Sequence, residues 1–287
     1  MIYKKFREPV FDPLKINFNN IKVSEITGYM PAGNDVIEVK LNDGKEAYIK
    51  MERSKVACFE TEVNNISIIK DNRLYNLIPN ILEYKKQNDK DIIVLQKIKG
   101  SKLSSILKNT TKPIKYKYLY KYGQELARIH SISPKFFKKA KQRVINEKPT
   151  KDTYKEFDKI ITPFIEYLEK HDFNKTYDTF IHGDFHYGNI LWYYGKINGI
   201  IDYEYSGKGL KEQDIAWALV LRPGQTFMNN INDINAFLDG YKSIGTYDKE
   251  KLKWCLINGC VHFYLMNKNN IEYRDKIIQI LKQIIKE

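Results

Sequence analysis

Cysteine is scarce in this 287-residue chain. Cys58, Cys255 and Cys260 are the only three, and their spacing matches no metal site. So few, in odd number and behind no secretory leader, they speak against a disulfide-stapled secreted scaffold and for a reduced, cytoplasmic protein. Long apolar runs are also missing. No segment reaches the length of a membrane span, so no membrane partner is expected. Internal repeats and low-complexity tracts are absent as well. Acidic residues are depleted in one place only. Residues 101–150 carry 13 Lys+Arg against 2 Asp+Glu, whereas 151–250 carry 11 against 16. The formal net charge of +13 is therefore concentrated in one segment. No zinc-finger, helix-turn-helix or RNA-binding aromatic pattern accompanies it, so it reads as a solvated helical face and no specific nucleic acid is expected.

What is present is enough apolar material to fold. At 43% hydrophobic residues the chain can bury cores, and its length points to two lobes rather than one. The first part reads as a small antiparallel sheet. Ile21 to Ile26 alternates weakly, Met30 to Asp35 is a turn, and Val36 to Val39 is a strand. A hairpin at Asn42-Asp43-Gly44 returns through Ala47 to Lys50. A helix over about 55–70 follows, with Phe59, Val63, Ile66 and Ile69 on one face. A lysine on a buried strand needs a carboxylate partner. Glu62 lies at the edge of that apolar stripe, whereas Glu60 points away, so Glu62 is the expected partner of Lys50. Ile92 to Leu95 is a continuous apolar strand, and Gln96-Lys97-Ile98-Lys99-Gly100 leaves it. The remainder is mostly helical in pattern, with helices expected over 118–129, 152–169, 214–221, 231–241, 249–266 and 271–285. The second of these is expected to bury Phe157, Ile160, Ile161, Phe164, Ile165 and Leu168.

The most informative stretch is 181–206. Asp184 sits in a polar loop and Asn189 follows five residues later. A strand from Ile190 breaks at Gly195-Lys196, and the apolar run Ile197 to Ile201 delivers Asp202. Such a hairpin is expected to gather Asp184, Asn189 and Asp202 at one rim. Two carboxylates and an amide oxygen form a hard-oxygen set suited to Mg²⁺ with nucleotide phosphates. Phosphoryl transfer needs a carboxylate for the attacking hydroxyl and ligands for the metal that offsets phosphate charge.

His182-Gly183-Asp184-Phe185-His186-Tyr187-Gly188-Asn189 resembles the catalytic loop of the aminoglycoside phosphotransferase family. Ile201-Asp202 resembles its metal-binding strand end, and Asp214-Ile215-Ala216 the motif that follows. The resemblance implies an α+β, bilobal protein-kinase-like fold. A sheet-plus-helix lobe would span 1–96 and a mostly helical lobe 97–287, with magnesium and ATP (GTP being the alternative) in the cleft. It implies Asp184 as the catalytic base and Asn189 and Asp202 as Mg²⁺ ligands. Lys50 would contact the phosphates, while the Gln96 carbonyl and the Ile98 amide would bond the adenine. His182 would buttress the loop, and Asp214 would hold it through backbone hydrogen bonds. His130 and His171 are expected to be structural or exposed.

The expected activity is phosphorylation of a hydroxyl on a small cationic molecule. An aminoglycoside-type antibiotic comes first, as a resistance enzyme would use it, and Glu204, Asp233 and Asp239 are the candidate carboxylates for it. Ile201 to Gly207 also resembles the corresponding run of choline and ethanolamine kinases, although those carry Asn where Gly183 stands. For a quaternary ammonium, Tyr203, Tyr205 and Trp217 are candidates for an aromatic box. Two readings of other kinds are a nucleotide-binding pseudokinase, which would lack part of the set present here, and a nucleic-acid binder using 101–150.

Overall fold

The computed structural model describes residues 7–53, 58–108, 110–143, 145, 147–149, 159–173 and 175–286. In chain order its elements are β1 (Val23–Met30), β2 (Asp35–Leu41), β3 (Glu46–Met51), α1 (Phe59–Asp71), β4 (Ile81–Gln87), β5 (Lys90–Gln96), β6 (Ser101–Lys102), α2 (Leu103–Leu107), α3 (Lys112–His130), α4 (Thr162–Lys170), β7 (Thr179–Ile181), β8 (Ile190–Tyr193), β9 (Lys196–Ile200), β10 (Gly207–Gly209), α5 (Lys211–Leu219), α6 (Ile231–Lys242), α7 (Lys249–Met266) and α8 (Ile271–Lys286). They form two compact units, residues 1–100 with 191–205, and residues 101–190 with 206–287. The first unit thus runs four residues beyond Gln96 and takes in a hairpin from the middle of the chain. None of the described helices is long and apolar enough to cross a membrane.

The first unit is an antiparallel sheet in the order β1-β2-β3-β5-β4. The two-residue period of a strand assigns its faces. Ile49 and Met51 join Ile37, Val39, Ile92 and Val94 in one core, closed by Ile16 and Phe18. Lys50, between them in sequence, points to the other face, where Phe59 of α1 packs on Ile93 and Leu95. β4 has no counterpart among the expected strands. Its sequence, Ile-Leu-Glu-Tyr-Lys-Lys-Gln, is mostly polar, and it is an edge strand paired on one side with β5. The expected helix start at 55–57 lies outside the described residues.

In the second unit α3 packs along α6, α5 on α7, and α7 on α4 and α8. A Cβ on Gly123 would stand 1.9 Å from the Phe237 carbonyl oxygen, and one on Gly240 would stand 1.9 Å from that of Tyr120. The two helix backbones therefore touch where their glycines meet. Gly123→Ala is expected to lose about 2–4 kcal/mol in urea unfolding, at or above the usual overpacking cost, because backbone rather than a side chain must yield. α4 begins at Thr162, later than expected, and the 152–158 part of that expected helix lies outside the described residues. Ile160 is 52% exposed, so it precedes the helix instead of facing inward. Within the basic segment, Lys112 and Lys117 are exposed, while Lys115 pairs with Asp233 at 2.6 Å.

Candidate active site

Each unit carries one cluster. In the first, the face that β3 presents to α1 places the Lys50 ammonium 2.6 Å from Glu62 Oε2 and 2.9 Å from Asp202 Oδ1. The same ammonium lies 5.0 Å from the centre of the Phe59 ring. Glu62 is fully buried, one turn along α1 from Phe59, and its Oε1 accepts the Tyr203 N–H at 3.3 Å. Burial alone would raise the Glu62 carboxyl, against the pull of Lys50. With both oxygens accepting, the geometry favours its charged form. Burial would lower the Lys50 ammonium, but Asp202, Glu62 and Glu204 together raise it well above its ordinary value. Glu204 is pushed up to about 7, by burial first and then by Asp202. Asp202 sits just past β9 at φ 74°, a left-handed backbone that non-glycine residues adopt at a cost and keep mainly at functional sites.

β5 leads into the stretch that includes Gln96 and Ile98. The Gln96 N–H donates to the Asn80 carbonyl at 2.8 Å, and the Lys97 N–H to that of Glu46 at 3.0 Å. Nothing among the described residues accepts from the Ile98 amide.

In the second unit β7 pairs with β10 and opens into the loop 182–189. Asp214, buried on α5, accepts the N–H of His182 at 2.8 Å and that of Gly183 at 3.0 Å. His130 Nε2 lies 3.1 Å from the same carboxylate, and His130 Nδ1 lies 2.7 Å from the Tyr241 hydroxyl. His182 is fully buried, and its Nδ1 accepts the Asp184 N–H at 3.2 Å. Tyr122 stacks on Phe185 at 5.1 Å. Asn189 Nδ2 donates to the Asp184 carbonyl at 3.0 Å, which leaves its amide oxygen pointing the other way. Asp184 Oδ1 accepts from Trp217 Nε1 at 2.8 Å and pairs with Arg143 Nη2 at 2.9 Å.

Arg143 and Arg222 lie around this loop without having been expected there, whereas His130, expected to be structural or exposed, is structural and holds Asp214. Arg143 was one of many cations in a basic run, and nothing in its spacing sets it apart. Trp217 was readable in principle: three residues after Asp214 it lies on the same side of α5. The carboxylates considered for a cationic ligand have other occupations. Glu204 belongs to the Lys50 cluster, buried Asp233 takes Lys115 and the Met228 N–H, and Asp239 is on the exposed side of α6. Tyr203 is fully buried and is no wall of an aromatic box.

The Asp214 carboxyl is held below the usual carboxylate range. Burial would raise it, but the bond and charge of His130, then the charge and the N–H of His182, outweigh that. A carboxyl depressed by folding stabilises the native state above its unfolded value, near pH 4, and loses that contribution as pH falls through its folded value. The stability difference between the wild type and Asp214→Asn, read from urea midpoints, is therefore expected to be full at neutral pH and to shrink below about pH 4.

Residues 32–254 match the phosphotransferase enzyme family. The chain belongs to that family. No curated protein matches the chain in sequence. Solved structures with the same fold include an aminoglycoside-3'-phosphotransferase of type VIII, at 14% identity and TM-score 0.60, covering 84% of this chain and 93% of that one. A streptomycin–ATP ternary complex of APH(2")-IIa aligns at 16% identity and TM-score 0.56, covering 86% and 89%. A macrolide 2'-phosphotransferase of type I aligns at 15% and 0.58, covering 91% and 92%. At such identities the likeness is one of fold, and that fold is the kinase-like α+β architecture. This phosphotransferase is thus an enzyme that places phosphate on a hydroxyl of a small molecule.

Proposed function

We propose that the enzyme transfers the γ-phosphoryl group of ATP to an alcohol, with Asp184 as the base. The observation that carries this reading is the fixing of Asp184. Its loop is tied down by Asp214, and one carboxylate oxygen is held by two donors, so the carboxylate is preorganised to orient a hydroxyl and take its proton. Lys50, steadied by Glu62, serves the α- and β-phosphates. The Gln96 carbonyl and the Ile98 amide serve the adenine, with guanine as the alternative base. His182 and Asp214 support the loop.

Asn189 and Asp202 are the proposed Mg²⁺ ligands. The donor set fits in chemistry: an Asp carboxylate and an Asn amide oxygen are hard-oxygen donors, and Mg²⁺ usually takes one or two carboxylates with phosphate oxygens completing its shell. When bound, the metal would offset charge on the phosphates. The complete set Lys50, Asp184, Asn189 and Asp202 speaks for catalysis over a pseudokinase.

Two measurements test the reading together. Magnesium–ATP is expected to raise the thermal midpoint, by an amount equivalent to about 2.7 kcal/mol at a hundred times Kd. A coupled ADP-release screen with kanamycin, gentamicin, a macrolide, choline, ethanolamine and homoserine samples the acceptor, the aminoglycosides included because the structural neighbours are named for them. No stabilisation by magnesium–ATP and no ADP release with any alcohol would contradict the proposal.

A further inference from the structure

The side chains gathered at Asp184 carry positive charge where a cationic acceptor would need carboxylates. Arg143 reaches Asp184 and also places its guanidinium 4.6 Å from the centre of the Trp217 ring. Arg222 lies 4.7 Å from the same ring and 6.0 Å from that of Tyr187. The indole that holds Asp184 through its Nε1 is thus stacked by two guanidiniums. Arg222 donates to the main-chain carbonyls of Val220 at 3.1 Å and Trp217 at 3.0 Å, and among the described residues it forms no ion pair. The Asp184 carboxylate and the Arg143 guanidinium both act on it electrostatically. Among the described residues, two guanidiniums stand against one carboxylate in this patch. Arg143, Trp217, Arg222 and Tyr187 are all half-buried, hence within reach of a ligand.

We propose, resting on the phosphotransferase reading above, that the acceptor alcohol carries an anionic group, a carboxylate or a phosphate, which Arg222 binds with Arg143 beside it. A guanidinium fork matches either anion through two parallel hydrogen bonds. The hydrogen bonds of the Arg222 guanidinium among the described residues go to two carbonyls, which leaves donors of its five that a ligand anion would take. A cationic acceptor would instead meet two like charges, and the indole face that could attract a quaternary ammonium is already covered by arginine. In the reaction the acceptor oxygen bonds to the γ-phosphorus as the bond from that phosphorus to the β–γ bridging oxygen breaks. ADP leaves with that electron pair, and the hydroxyl proton passes to Asp184. Arg222 takes no part in these bond changes. It selects which alcohol is presented.

The test is ADP release from magnesium–ATP with matched alcohols. Glycerate, homoserine and glycerol phosphate form one arm, and glycerol, ethanolamine, choline and kanamycin the other. Turnover above the ATP-only rate is expected in the first arm and not in the second; a carboxylate-only or phosphate-only response tells the two anions apart. Arg222→Gln is expected to raise KM for the active acid about 10- to 100-fold, with a much smaller change in kcat. Arg222→Lys should recover part of that loss, because it restores the charge without the fork. The wild-type comparison of the two arms stands even if a variant fails to fold. Turnover of an amine or of glycerol with none of any acid overturns the anionic acceptor and leaves the phosphotransferase reading intact. Stabilisation by magnesium–ATP with no acid turned over also overturns this proposal alone. Absence of both stabilisation and turnover removes the two together.

Discussion

Asp184→Asn is expected to lower kcat by about 10²- to 10⁴-fold while KM for ATP stays within about twofold. The amide is the same size as the carboxylate, and its oxygen can still accept from Trp217 Nε1, now 2.8 Å away. The loop itself is held elsewhere, by Asp214 on the His182 and Gly183 amides, so the fold survives the change. On the proposed mechanism, what disappears is the proton acceptor for the attacking hydroxyl. A loss confined to kcat is the signature of an interaction made in the transition state, whereas a rise in KM alone would mark a residue that merely binds. Steady-state kinetics with saturating acceptor separates the two. Near-normal turnover by the variant would remove Asp184 from the role of base.

Lys50→Met is expected to be the most destabilising single change in the first unit, at about 3–5 kcal/mol in urea unfolding. The ammonium is held by both Glu62 and Asp202, and Glu62 has no exposed surface on which to regain water. Removing it strands a buried carboxylate beside another acid. On the proposed role of Lys50, turnover should be lost as well, since the phosphates would lose their point charge. The double variant Lys50→Met, Glu62→Gln distinguishes the two effects. It should recover much of the stability, because no unpaired buried charge remains, and recover no turnover. If the single variant unfolds at the wild-type urea concentration, the ion pair does not bear the load assigned to it here.

The sequence disclosed most where chemistry and local periodicity coincide. Lys50 resembles the family's nucleotide-binding lysine at the end of the hairpin, and the helical period separates Glu62 from Glu60, so the pair can be named from the sequence. The hairpin 190–200 was legible from Gly195 and the two apolar runs around it. Long-range packing was not legible. β4 reads as a polar segment because only one of its edges is paired. The His130–Asp214 bond joins residues 84 positions apart, and a buried histidine on an apolar helix face looks like any other core residue. Arg143 and Arg222 were hidden for a similar reason. Each is an ordinary cation in sequence, and only the fold brings both onto the ring of Trp217. The charge balance of residues 151–250 does not report on the surroundings of any one carboxylate: Glu204 lies in the Lys50 cluster, Asp233 pairs with Lys115 and Asp239 is exposed on α6, while two arginines approach the Trp217 ring beside Asp184.

The most direct measurement follows the phosphate itself. The enzyme is incubated with magnesium and ATP labelled in the γ-phosphate, together with the pool of small alcohols, and the products are separated by size and charge. The account predicts label in a small phosphomonoester, formed by the wild type and not by Asp184→Asn. Label that stays in ATP and inorganic phosphate, or that appears equally with Asp184→Asn, would contradict it.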